Sequence, residues 1–290
     1  MLTADTVDSL RAWVSDRILV LVDQAGWPNF QGFRIPPARI EPGFRHAFHR
    51  SPYRNAALGL QKAYSYWPDS DWFLYTEYDC LFTSDAFKLD LALASQSNAW
   101  CVGFDLRRFS TQLEVLEQLL DHGAFRYSYY LLGCCQFLSN ALISKLAESG
   151  FIDRLLDATS QFQSGYFPGY PRWAFEEELW PSIAVQFGAS LYELACWKGI
   201  DRQWQDRITD DPKVIYAEGD DSPWRGKHRT YLVRFSPEIN PLEHSYAVSI
   251  IHPVKQFENP IRIYHRGKRD AMRECAINGG FSIYERHKRL

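Results

Sequence analysis

Three short apolar runs, each stopped by an acid, restrict this chain more than any other feature. Residues 17–22 (RILVLV), 72–76 (WFLYT) and 99–104 (AWCVGF) are each the length of one buried strand and are followed by Asp23, Glu77 and Asp105. Helical spacing fills the chain between them. Thr6 to Val14 places Val7, Leu10, Trp13 and Val14 on one stripe, and Arg54 to Tyr64 reads as a helix stopped by Pro68 and Asp69. Alternating strands and helices imply an α/β layer fold with a largely parallel sheet. Ligands in such sheets gather at the carboxyl ends of the strands, where these acids fall.

Further helices are expected at 111–120, 139–146 and 175–187, the last opening on Glu176-Glu177-Glu178. Late strands are expected at 213–217, 230–235 and 247–251, the last running into His252-Pro253-Val254-Lys255. Residues 164–173 form a Gly/Pro/aromatic loop in which Tyr166, Tyr170 and Trp173 are candidates to stack on a sugar, with core packing as the plain alternative. No repeat or flexible linker divides the 290 residues, so one domain spanning 1–290 is expected.

A formal charge of −3 gives no case for nucleic-acid binding by the whole chain. The charge is uneven. From Lys255 onward nine Lys or Arg face four Asp or Glu, so the tail, about 256–290, is basic. That tail could meet phosphate or anionic lipid at a membrane periphery, although a solvated surface helix is the more ordinary expectation. The longest aliphatic run, Ile18 to Val22, is too short to span a bilayer. Asp5, Asp8 and Asp16 sit where a leader would be basic and then apolar. Six cysteines without CxxC spacing read as reduced thiols, and the expected location is cytoplasmic.

Side chains alternate along a strand, so Glu77 and Asp79 are expected on one side and Tyr78 on the other. Two adjacent carboxylates repel, and a hard divalent cation, Mg²⁺ or Mn²⁺, removes that penalty. A turn capped by Asp79 is the competing reading.

The segments RNxxLGLxxAY (54–64) and PDSDWFLYTEYDC (68–80) resemble the central stretch of nucleotide-diphospho-sugar glycosyltransferases of the GT-A fold. The resemblance implies a Rossmann-like three-layer α/β/α sandwich with a mostly parallel central sheet. Asp79 would be the principal metal ligand, and Glu77, which stands where the family has its first Asp, would meet the metal or the ribose. Glu177, with Gly188 eleven residues on, matches the family's acidic helix start and would be the base; Glu178 lies closer to the apolar stripe, and the choice stays open. His252 would join the metal and Lys255 the diphosphate. Asp23 would hold the nucleotide base, Arg54 and Asn55 would approach the nucleotide, and Asp105 would face the donor sugar. A turn, a helix start and a surface ion pair are the respective plain alternatives. The Gly133-Cys-Cys-Gln136 segment falls where the family has a small-residue loop beneath the sugar.

The implied activity is metal-dependent transfer of a sugar, of hexosyl type, from a nucleoside diphosphate sugar to a hydroxyl acceptor. That acceptor would be a glycan, a lipid-linked molecule or another alcohol, in polysaccharide or glycoconjugate synthesis. A nucleotidyltransferase acting on sugar phosphates is one alternative, but residues 24–29 (QAGWPN) lack its basic Gly-rich loop. A non-catalytic carbohydrate-binding protein of the same fold is another.

Overall fold

The computed structural model describes residues 1–32, 34–44, 53–109, 127–158, 175–194, 196–197, 208, 210–216, 232–234 and 249–279. The apolar runs form the expected strands: β1 (Leu19–Val22), β3 (Trp72–Thr76) and β5 (Ala99–Gly103). The Pro-rich segment after β1 is more ordered than its composition implies. It contains a single helical turn, α2 (Trp27–Phe30), and a strand, β2 (Arg39–Pro42), paired parallel to β1.

The amphipathic segments form α1 (Leu2–Trp13) and α3 (Tyr53–Tyr66). Beyond β3 come β4 (Leu81–Phe82), α4 (Phe87–Gln96), β6 (Arg107–Phe109), β7 (Ser128–Tyr130) and β8 (Cys135–Ser139). Then follow α5 (Asn140–Glu148), α6 (Phe151–Ala158), α7 (Phe175–Gln186), β9 (Ser190–Glu193), β10 (Cys196–Trp197), β11 (Val214–Tyr216), β12 (Leu232–Arg234), β13 (Ile250–His252) and α8 (Pro260–Gly279). The change from β8 to α5 is sharp because the Ser139 hydroxyl caps the helix, accepting the Leu142 N–H at 3.2 Å. Such a cap contributes about 1 kcal/mol.

The chain is a mixed α/β protein built around a five-stranded sheet of order β11-β9-β5-β8-β3. The expected largely parallel sheet is corrected here to a mixed one. The β11–β9 and β9–β5 pairs are parallel, but β8 runs antiparallel to both β5 and β3. Every residue of β8 is buried, as in a parallel strand covered on both faces, so its antiparallel direction leaves no alternating signature in the sequence. Its consequence is local: residues 133–134, which lead into β8, lie against the end of β3, because Thr76 pairs with Cys135.

Alternate strand residues feed two buried clusters. Phe73, Cys101, Leu138 and Leu191 pack with residues of α3, α5, α6 and α7. Val102, Phe137 and Tyr192 pack with Val7 and Leu10 of α1 and with Phe87, Leu91 and Ala94 of α4. Both sheet faces are therefore covered. A second sheet, β10-β12-β13-β4, has β4 antiparallel to β13, with Leu81 opposite Ile251.

The described part of the basic tail is a surface helix with one buried face. Arg262 and Arg269 of α8 are 0% and 2% exposed and bind Asp5 of α1 at 2.7 and 2.5 Å. Arg269 and Arg273 also bind Asp8. Three of the tail's cations, Arg262, Arg269 and Arg273, thus face acids from the opposite end of the sequence. No helix among the described residues is long and apolar enough to cross a membrane. The helix expected at 111–120, the loop 164–173 with Tyr166, Tyr170 and Trp173, and the tail beyond Gly279 lie outside the described residues.

Candidate active site

The chain leaves the five-stranded sheet at Thr76 and enters the second sheet at Leu81, so Glu77, Tyr78 and Asp79 form the turn between them. The expected strand alternation is thus replaced by a turn, closed by the Cys80 N–H donating to Glu77 O at 3.2 Å. The outcome for the side chains is similar: Tyr78 is 58% exposed, while Asp79 is 3% exposed. The carbonyl of Cys134 fixes this turn by accepting from Thr76 Oγ1 at 2.9 Å, Cys80 Sγ at 3.1 Å and Glu77 N at 3.3 Å.

Pairing of β13 with β4 brings in the third group. The Val254 N–H donates to Asp79 O at 2.9 Å, and His252 Nε2 lies 3.3 Å from Glu77 Oε2 and 3.4 Å from Asp79 Oδ1. One ligand atom from each of Glu77, Asp79 and His252 lies within 4.8 Å of the others. Burial opposes the charged imidazole, but hydrogen bonding to Asp79 and Glu77 outweighs it and raises His252 to about 10. Burial likewise pushes Asp79 up, and contact with His252, aided by the charge of Lys255, holds its carboxyl below the ordinary value.

These residues fit a divalent cation. Asp79 Oδ1 is buried without a hydrogen bond of good geometry, its close neighbour being the imidazole at 3.4 Å. A buried carboxylate oxygen in that state is costly unless a cation takes it. Two carboxylates and one imidazole form a hard-to-borderline donor set suited to Mn²⁺ or Mg²⁺.

Glu177 lies in the first turn of α7 and faces the residues before β8. Its Oε1 accepts the Gly133 N–H at 2.6 Å and the Tyr130 hydroxyl at 3.1 Å. A Cβ on residue 133 would stand 2.7 Å from Glu177 Cγ, so the approach requires glycine there. Burial raises the carboxyl to about 7 against the pull of both donors, and the negative charges of Glu77 and Asp105 push it the same way. That coupling links Glu177 to the Glu77/Asp79/His252 group. A carboxyl titrating near neutrality is suited to general-base work. Glu178 is buried at 2% exposure.

The other expected residues divide. Asp105 has a left-handed backbone (φ 56°) and binds Arg107 Nη2 at 2.5 Å, and the Arg107 guanidinium lies 5.5 Å from the Tyr130 ring centroid. Lys255 is exposed and near enough to Asp79 to affect its charge. Asp23 uses one oxygen to accept the Ala25 N–H at 2.7 Å, opening the turn into α2. Asn55 clamps the backbone after β2, accepting from Phe44 N at 2.7 Å and donating to Phe44 O at 3.3 Å. The Arg54 guanidinium covers the Phe44 ring at 4.1 Å. Asp23, Arg54 and Asn55 therefore shape the β1/β2 end.

Sequence reasoning missed Tyr130 and Cys80 as site residues. Both sit inside apolar runs that read as core. The usable signal was position, since Tyr130 lies three residues before Gly133 and Cys80 follows Asp79 directly. Among known proteins, no family model and no curated protein matches the chain.

Proposed function

We propose that the protein is a metal-dependent glycosyltransferase that moves a sugar from a nucleoside diphosphate sugar to a hydroxyl acceptor, on a scaffold of the GT-A type. One observation carries this reading: a carboxyl poised near neutrality, Glu177, is coupled to a carboxylate–imidazole donor set formed by Glu77, Asp79 and His252. Inverting glycosyl transfer from a diphosphate needs these two parts, a base for the acceptor and charge compensation for the leaving group.

Glu77, Asp79 and His252 would hold the cation, which when bound neutralises charge on the diphosphate. Lys255, exposed beside this group, adds a positive charge toward the departing phosphates. Glu177, ionised above about pH 7, takes the proton of the acceptor hydroxyl as its oxygen bonds to the anomeric carbon. The bond from that carbon to the phosphate oxygen breaks, and its electron pair leaves with the nucleoside diphosphate. This sequence inverts the anomeric centre. The Gly133 and Tyr130 donors orient the carboxylate and keep its pKa from rising further.

The direct test is incubation with a panel of UDP- and GDP-sugars and Mn²⁺, with release of nucleoside diphosphate measured with and without simple sugar acceptors. Release that requires Mn²⁺ and fails in Glu177→Gln supports the reading. Absence of release with every donor, together with absence of donor binding, argues against it.

A further inference from the structure

His252 belongs to two donor sets. On one side are the carboxylates of Glu77 and Asp79. On the other are the thiols of Cys80 and Cys134, whose sulfur atoms and a ring nitrogen of His252 also lie within 4.8 Å of one another. Cys80 and Cys134 are 0% and 2% exposed, and both are free thiols. The neighbouring Glu77 and His252 are less buried, with side chains 40% and 18% exposed.

Two thiolates and an imidazole form a soft set with tetrahedral metals as its natural guests. Zinc and cadmium favour it, and manganese and magnesium do not. The 4.8 Å limit on the spacing is compatible with such coordination, since two thiolates bound to zinc at about 2.3 Å in tetrahedral geometry stand roughly 3.8 Å apart. The main chain already holds the two cysteines together, because Cys80 Sγ donates to Cys134 O at 3.1 Å. Either Glu77 or Asp79 is placed to complete a fourth position from the His252 side.

We infer that Cys80, Cys134 and His252 form a binding site for a thiophilic divalent metal such as Zn²⁺, and that its occupation excludes a hard cation from the Glu77/Asp79/His252 set. The exclusion follows from the shared imidazole. Binding displaces the two thiol protons and any proton on His252, so it tightens with rising pH. Cys134 also adjoins Gly133, the donor that holds Glu177, so a metal drawn onto this thiol acts on both halves of the active site. The soft site stands on the donor geometry alone, and only the exclusion of Mn²⁺ rests on the proposed function.

Cadmium alone is the probe, because its thiolate complexes absorb in the ultraviolet. The background carries Cys275→Ser, which removes an exposed thiol. One equivalent of Cd²⁺ is expected to give a saturating thiolate band. That band should be lost in Cys80→Ser and in Cys134→Ser and retained in Cys101→Ser, a buried thiol outside the group. Cys80→Ala, Cys134→Ala and His252→Gln, each checked for a cooperative melt, serve as second variants where a serine impairs folding. In the unmodified chain, electron paramagnetic resonance should show bound Mn²⁺ released as Cd²⁺ is added. No band, or a band that survives loss of either cysteine in a folded variant, overturns the soft site. Simultaneous binding of both metals overturns the exclusion. A normal cadmium band with no Mn²⁺ binding at all upholds the soft site and counts against the glycosyltransferase reading instead.

Discussion

Glu177 Oε1 lies 2.6 Å from the amide nitrogen of Gly133, at a place where any β-carbon on residue 133 would stand 2.7 Å from Glu177 Cγ. The pair joins the first turn of α7 to the residues that enter β8. It also stores a cost: the carboxyl is held at about 7, above the ordinary 4.5. The folded protein thus binds a proton that the unfolded chain has already lost between those values. Its stability therefore falls as pH rises from about 4.5 through 7. Glu177→Gln should raise stability at pH 8 by roughly 1–3 kcal/mol and leave it nearly unchanged at pH 4. The same variant should lose roughly 10²–10⁴-fold in transfer rate. Urea unfolding at both pH values and a steady-state assay check the two halves.

The pH profile should carry the same signature. In the proposed mechanism Glu177 acts ionised, so kcat/KM should rise with pH through about 7. The Tyr130 hydroxyl holds that pKa down, so Tyr130→Phe should move the rising limb to higher pH. A purely structural tyrosine would lower the rate and leave the limb in place.

Without a cation, His252 is raised to about 10 against an ordinary 6.5. The imidazolium–carboxylate contacts stabilise the fold fully below about pH 6.5, and that contribution is lost as pH rises through 10. A hard metal reverses the dependence, because it needs the imidazole neutral. Apparent Mn²⁺ affinity should rise about tenfold per pH unit between 7 and 9 if one proton is displaced. Calorimetry in buffers of different ionisation enthalpy counts that proton. An affinity flat in pH would show that His252 is not a ligand.

Much of this arrangement was legible in residue order. β3 appeared at its observed bounds because an apolar run of strand length ends at an acid. Glu77, Asp79 and His252 were grouped by the family resemblance, supported by their positions at the ends of expected strands. The convergence itself was not legible, since it depends on β4 leaving one sheet for another and pairing antiparallel with β13. The clamp made by Asn55 was not legible either, because its partner is the backbone of Phe44, eleven residues away. The buried face of the tail helix was hidden for a similar reason: partners of Arg262 and Arg269 lie more than 250 residues upstream, at Asp5.

That long-range pairing makes its own prediction. Asp5→Asn leaves Arg262 and Arg269 buried beside a neutral amide and should cost about 3–5 kcal/mol. Asp8, with a third of its side chain exposed, should cost much less when changed to Asn, about 1 kcal/mol. Arg262 also donates to Val254 O at 2.9 Å and Cys80 O at 3.3 Å, residues that flank His252 and Asp79. Weakened Mn²⁺ binding should therefore accompany the loss of stability in Asp5→Asn. Chemical denaturation of the two variants, with metal titration of each, decides between them.

The central claim is that the carboxylate–imidazole group holds a cation and, through it, a nucleotide sugar. Thermal unfolding with a panel of UDP- and GDP-sugars, each with and without Mn²⁺, tests this most directly. A donor should raise the melting temperature only when Mn²⁺ is present, and Asp79→Ala should abolish the rise while remaining folded. No rise with any donor, or a rise unchanged in Asp79→Ala, would contradict the account.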